Sequence, residues 1–293
     1  MSMKRISRNR GITNKTLHLI ARAVLSGLFI IILSIQSFAQ GNLLITPRRV
    51  VFEGNLKTQD LNLANTGRDT ARYNVSIVQY RMKEDGSFEE IIEPDPGQNF
   101  ADKNIRFFPR AVTLAPNEAQ VVKMQLTKTN LLTPGEYRSH VYFRAVPVER
   151  ALGDEDTKAD SSGISVRLVP IFGITIPVII RVGESNTQVN LSDLALEKVN
   201  DTLTRFKMTF NRVGNMSVYG DIKVTYISPE GKVTDVGIVK GIAVYTPNAI
   251  RRFQMDLKKA EGVDFKKGRL EVVYTTQSDS NPEKIAESSL QLI

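Results

Sequence analysis

Residues 163–183 read GISVRLVPIFGITIPVIIRVG, a run with no acid and only two charges, Arg167 and Arg181. A run this apolar is either a membrane span or a strand. Pro170, Gly173 and Pro177 punctuate it, and β-branched Ile and Val dominate it, which favours extended chain over helix. Arg167 would also lie within the span, at appreciable cost. As a strand the run makes sense. Ile164, Val166 and Leu168 alternate with Ser165, Arg167 and Val169. Further on, Ile174, Ile176, Val178 and Ile180 alternate with Thr175, Pro177, Ile179 and Arg181. The expectation is one long strand with an exposed first half and a buried second half. Proline has no N–H for a ladder, so Pro170 and Pro177 put the strand at a sheet edge or a bulge. Long apolar edges are normally covered, so something is expected to pair with this one.

The chain has 293 residues, no Cys, no Trp and a formal charge of +8. Six cationic residues lie in the first 39 (Lys4, Arg5, Arg8, Arg10, Lys15 and Arg22) with no acid among them, so the rest carries +2. A nearly neutral remainder gives no basic face for nucleic acid. The same 39 residues read as a signal peptide. A basic region precedes the apolar run 23–33, and Ser37-Phe38-Ala39 places small residues where a signal peptidase reads, with cleavage before Gln40. Retention as an anchor is the other outcome such a leader allows. The expected destination is the periplasm. With no Cys there is no disulfide framework, so stability has to come from core burial.

From Asn42 onward short alternating segments follow one another, with turn signals between. Asn65-Thr66-Gly67, Glu84-Asp85-Gly86, Ala115-Pro116-Asn117-Glu118 and Pro134-Gly135 separate the first set. Prolines at 47 and 109 break two of its strands, and residues 89–103 and 149–162 read as loops. Tyr137, just after Pro134-Gly135, fits a corner tyrosine bonded back to the preceding loop, or else a plain core residue. After Asn186 a second set of about seven strands follows. The expected fold class is all-β: two immunoglobulin-like β-sandwiches, 42–183 and 186–293, after the leader 1–39.

Catalytic chemistry is hard to find. Beyond the leader the only histidine is His140, within an alternating strand. Cys–His nucleophile pairs and His-rich zinc sites are thereby excluded. No G-x-S-x-G, H-E-x-x-H or P-loop occurs. Asp154-Glu155-Asp156 lacks Ca-loop spacing. No enzymatic activity, metal or cofactor is expected.

Thr46-Pro47-Arg48-Arg49-Val50-Val51-Phe52 and Leu61-x-Leu63-x-Asn65-Thr66-Gly67 resemble the opening of periplasmic pilus (fimbrial) assembly chaperones of the PapD-like superfamily. Phe107-Phe108-Pro109-Arg110-x-Val112-x-Leu114-x-Pro116-x-Glu118 and Arg144-Ala145-Val146-Pro147 are similar to that family's middle segments. Residues 174–181, ITIPVIIR, are similar to the end of its long final strand. The resemblance runs over residues 42–182; beyond 186 only size and strand pattern fit.

The resemblance implies two immunoglobulin-like sandwiches and a protein that lends its last strand to an incomplete subunit. Ile164, Val166 and Leu168 match the family's inserted side chains. Arg49, with Arg48 as the alternative, matches a cation that holds the subunit's terminal carboxylate. The family's second cation, a lysine, falls on uncharged Pro177. The function so implied is chaperoning of exported, pilin-like subunits by strand donation, with an outer-membrane usher as a further partner and no small-molecule substrate. The alternative is a structural or adhesive cell-envelope protein built of such domains without chaperoning.

Overall fold

The computed structural model describes residues 43–147, 170–200, 203–278 and 280–292. They contain eighteen strands and two short 3-10 turns, and no α-helix is present among them. The leader, the loop 149–162 and the donor positions Ile164, Val166 and Leu168 lie outside the described residues.

The first sandwich is built from strands β1 to β11. One sheet has the order β1 (Leu43–Thr46), β3 (Thr58–Asn65), β9 (Ala119–Leu126), β7 (Ile105–Phe108). The facing sheet has the order β2 (Val50–Phe52), β11 (Gly173–Val182), β10 (Gly135–Val146), β4 (Ala71–Val78), β8 (Ala111–Leu114). A small hairpin, β5 (Tyr80–Met82) with β6 (Phe88–Glu90), stands apart from both. The A-B-E-D and G-F-C arrangement of an immunoglobulin-like sandwich is recognisable in these orders. Alternate residues meet in its core, Leu61, Leu63, Val122 and Met124 from one sheet against Phe52, Val141, Phe143 and Val178 from the other.

Both proline-broken strands turn out to be sheet switches. Past Pro47 the chain leaves β1 in one sheet and re-enters as β2 in the other, and past Pro109 it passes from β7 to β8. A residue without an N–H cannot continue the ladder, so the break falls there. The expected loop 89–103 begins instead as strand β6, because Tyr80, Arg81 and Met82 pair with residues 88–90. Tyr137 is a corner tyrosine: its hydroxyl accepts from the Thr133 N–H at 3.0 Å and pairs with the Thr133 hydroxyl at 2.9 Å.

The second sandwich sets β12 (Gln188–Lys198), β13 (Thr204–Val213) and β16 (Ile250–Leu257) against a four-stranded sheet. That sheet runs β15 (Val233–Val244), β14 (Val218–Ile227), β17 (Gly268–Thr276), β18 (Lys284–Leu292). Its core is separate from the first and contains Phe206, Phe210, Tyr226 and Tyr274. A third, small cluster joins the two: Met82 and Ile179 from the first sandwich pack with Ala243 and Tyr245 from the second.

Candidate functional site

β11, Gly173–Val182, is the strand within the described part of the long apolar run; residues 163–169 lie outside the described residues. Ile171 and Phe172 precede it outside the strand and are exposed, although the Phe172 carbonyl still accepts from the Ala145 N–H at 2.9 Å. Gly173 lets the Tyr142 ring lie over the strand, since a Cβ there would come within 2.2 Å of it unless the ring moved. From there the alternation read in the sequence holds. Ile176, Val178 and Ile180 enter the core, and Ile174 and Val182 pack against it.

The expectation of an edge strand is half met. β10 flanks β11 along its whole length, but β2 pairs only with Val178, Ile179 and Ile180, in parallel. Among the described residues, 173–177 therefore have a ladder on one side only. Pro177 is the last residue of this open edge, next to the point where β2 takes over. In the parallel register Val50 lies opposite Val178, so Arg49 stands level with Pro177. A strand added along the open edge would end against Arg49.

Alternation aims Arg49 the same way as Val51 and Ile179, away from the first core and toward the second sandwich. Its guanidinium lies 4.4 Å from the Tyr219 ring centroid and 5.9 Å from that of Tyr245. Arg48, the alternative anchor, is exposed. A second cation comes from a strand the sequence did not single out. Arg138 on β10 is opposite Ile179 in the register and 2 % exposed, with its guanidinium 4.3 Å from the Tyr245 centroid. Tyr245 thus carries a guanidinium contact from each arginine.

The hydrogen bonding of the pair is incomplete. Arg138 gives one bond, from Nη2 to the Thr246 carbonyl at 3.3 Å. Its Nε and Nη1, and the Nε of Arg49, are buried without an acceptor among the described residues. Burial pulls the Arg138 pKa down, and the charge of Arg49 acts in the same direction, against Tyr245 and Glu136. Two guanidinium groups share an aromatic ring here and have no carboxylate hydrogen bond among the described residues, an arrangement that can take an anion. Guanidinium recognises a carboxylate bidentately.

Beside Arg138 on β10 lies His140, opposite Pro177 and 4 % exposed. Burial, and next the Arg138 charge, hold its pKa down to about 3, so it is neutral at physiological pH. Glu136, two residues before Arg138, is the counterpart that is fully engaged. It accepts from the Ser217 hydroxyl at 2.6 Å and the Ser217 N–H at 3.0 Å, and pairs with Arg181 at 3.4 Å. Arg181 also donates to the Ser217 carbonyl at 2.8 Å, so these residues tie the two sandwiches together.

The structure therefore brings Arg49 to the end of the open edge and joins it with Arg138, Tyr219 and Tyr245. No metal-holding group of three or more His, Cys, Asp or Glu occurs among the described residues. No family model matches the sequence, and no curated protein does. Among solved structures the chain is similar to the YadV chaperone, at 13% identity and TM-score 0.43 over 86% of this chain and 100% of that one. It is similar to a chain of the Salmonella enterica SafA pilin complex with the SafB chaperone, at 13% identity and TM-score 0.41 over 87% and 99%. The Pseudomonas aeruginosa CupB2 chaperone is a further likeness, at 15% identity and TM-score 0.38 over 85% and 100%.

Proposed function

We propose that this protein is a periplasmic chaperone-like protein that captures exported, pilin-like subunits by lending them a strand. The open edge at 173–177, ending against Arg49 with Arg138 beside it, is the observation that carries this reading. A subunit with an unfilled groove exposes apolar surface and unpaired backbone groups together, and an added strand covers both. The alternating Ile164, Val166 and Leu168 continue the same run upstream and supply the apolar side chains for the groove. Each buries an aliphatic group in the complex, a contribution of about 1.5–3 kcal/mol before offsets. Arg49, with Arg138 in the position of second cation, holds the subunit's terminal carboxylate. Pro177 carries no charge, and Arg138 takes over that role from the neighbouring strand. An outer-membrane usher is the expected acceptor of the loaded subunit.

The test is a double substitution, Val166→Ser with Leu168→Ser, read by a melting curve and by pull-down of periplasmic partners identified by mass spectrometry. Donor-strand residues leave the melting temperature nearly unchanged and lose the partner. Ordinary core residues would instead cost roughly 4 kcal/mol or more of stability, and that outcome rejects the donor role. A wild-type protein that captures no exported subunit returns the chain to the structural or adhesive reading.

A further inference from the structure

Hairpin β5–β6 belongs to neither sheet of the first sandwich. A two-stranded hairpin has little stability of its own, so what it touches decides where it stands. Its base is fixed to the first sandwich. Arg81 pairs with Asp95 at 2.8 Å, the Gln98 side chain donates to the Tyr80 carbonyl at 3.0 Å, and the Ile91 N–H donates to the Gln79 carbonyl at 3.0 Å. Its tip is a tight turn, in which the Gly86 N–H donates to the Lys83 carbonyl at 2.9 Å and Asp85 accepts from Ser87. We propose that this hairpin is a strap that holds turn 245–248 of the second sandwich against Arg49 and Arg138, with Gly86 and Asn248 as positioning residues of the anion site. The inference rests on the reading of that pair as a carboxylate site, but the strap can be measured without it.

The hairpin spends its contacts across the seam. The Asn248 side-chain amide donates to the Met82 carbonyl at 2.7 Å. At the tip the Arg252 N–H donates to the Glu84 carbonyl at 2.6 Å, and the Arg252 guanidinium pairs with the Glu84 carboxylate at 2.8 Å. That ion pair is exposed and contributes little. The Arg251 side chain lies so close over Gly86 that a Cβ there would come within 2.4 Å of it. Gly86 also has a φ of +84°, which favours glycine. Phe88 reaches both sandwiches, with its ring centroid 5.8 Å from His140 and 6.1 Å from Tyr245.

These contacts fall on the turn that carries the ring of the site. The Tyr245 carbonyl accepts from the Asn248 N–H at 2.9 Å, so holding Asn248 holds Tyr245. Thr246, between them, offers the carbonyl to which Arg138 donates. Arg49 and Arg138 come from the first sandwich, Tyr219 and Tyr245 from the second, so the site is complete only while the two are held together. Glu136, Arg138 and His140 follow one another along one face of β10. Glu136 is bonded to Ser217, and His140 lies against the rings of Tyr80 and Phe88. Arg138 thus stands between two ties. With the hairpin released, the hydrogen-bonded ties that remain between the sandwiches among the described residues are centred on Glu136, Arg138 and Arg181. The second sandwich would then tilt about that end and carry Tyr245 away from the guanidinium groups.

The experiment combines Gly86→Ala with Asn248→Ala, neither of which lies in a core cluster. The chain has no Cys, so Lys123→Cys and Asn190→Cys, at exposed positions of the two sandwiches, take spin labels selectively. Double electron–electron resonance between the labels should give one narrow distance population with the strap intact and a broader one in the double variant. The site is read with a heptapeptide of alternating threonine and valine, ending in a free carboxylate or in a carboxamide. The unaltered protein is expected to bind the carboxylate form about tenfold more tightly or better, as hydrogen bonds to a charged group imply. In the double variant that preference should fall toward parity. General destabilisation would lower both peptides alike, so the preference separates positioning from stability.

An unchanged distance distribution overturns the strap. A broadened distribution with the carboxylate preference intact overturns the positioning role. A carboxylate preference missing from the unaltered protein sinks the carboxylate reading instead, and the distances alone then judge the strap.

Discussion

Two clusters of guanidinium lie along the seam between the sandwiches, and their chemistry is opposite. At one, Arg181 meets the buried carboxylate of Glu136, and Ser217 and Thr246 supply the hydroxyls that complete the carboxylate's shell. At the other, Arg49 and Arg138 share Tyr245, and three of their nitrogen atoms have no acceptor among the described residues. Buried charge is tolerated when paired and hydrogen-bonded, and is expensive otherwise. The first cluster is a fastener. The second bears a cost that folding alone does not explain, and a carboxylate delivered by a partner would remove it.

The sharpest way to break the contrast is at the fastener. Glu136→Ala leaves the Ser217 donors without their acceptor and takes from Arg181 its buried carboxylate partner. Removing one partner of a buried pair typically costs about 3–5 kcal/mol, a large share of the stability of an ordinary domain. Chemical denaturation should record that loss; an unchanged midpoint would mean that the seam is solvated in solution.

Next comes acid. His140 is neutral when folded, with its pKa at about 3, whereas an unfolded histidine titrates near 6.5. Between these values the unfolded chain binds the extra proton, so stability from this residue is intact above about pH 6.5 and falls as the pH drops toward 3. The slope is up to about 1.4 kcal/mol per pH unit. His140→Phe should flatten it over that window. A melting temperature equally steep in wild type and variant would assign the slope to other groups.

The second cluster should respond in the reverse sense. Arg138→Met removes a charge that has little local compensation, so stability should stay within about 1 kcal/mol or rise, while subunit capture falls. Of similar size, Arg49→Ala loses a cation–π contact of about 0.5–1 kcal/mol and should weaken capture to a similar degree as Arg138→Met. Full capture by both variants would strip the pair of its assigned role.

Much of the fold was legible because alternation is a local property. The apolar face of 174–182, the seven strands after Asn186 and the corner Tyr137 could be read from neighbours along the chain. Pro47 and Pro109 were visible as breaks, but a switch of sheets involves partners far away in sequence. The same limit hid half of the candidate site. Arg49 was accessible through its motif, whereas Arg138 looked like one more polar residue in a strand. A signal was nonetheless present: Glu136, Arg138 and His140 occupy one face of β10, three ionisable groups at alternate positions on the side away from the first core. Such a face is either solvent-exposed or a built polar seam. Tyr219 and Tyr245, which decide between these, lie about 80 to 110 residues further on, beyond the reach of any periodicity.

β2 is only three residues long, and that brevity makes β11 a gauge. A chain captured beside residues 173–177, as proposed, would meet β2 where Val50 begins, with the positive charge of Arg49 at that point. A chain that has further residues to run would collide with β2 at that point, however well its earlier side chains fit. The edge would thus sort incoming polypeptides by where they stop rather than by what they spell, admitting a free end and turning away an internal loop of the same composition.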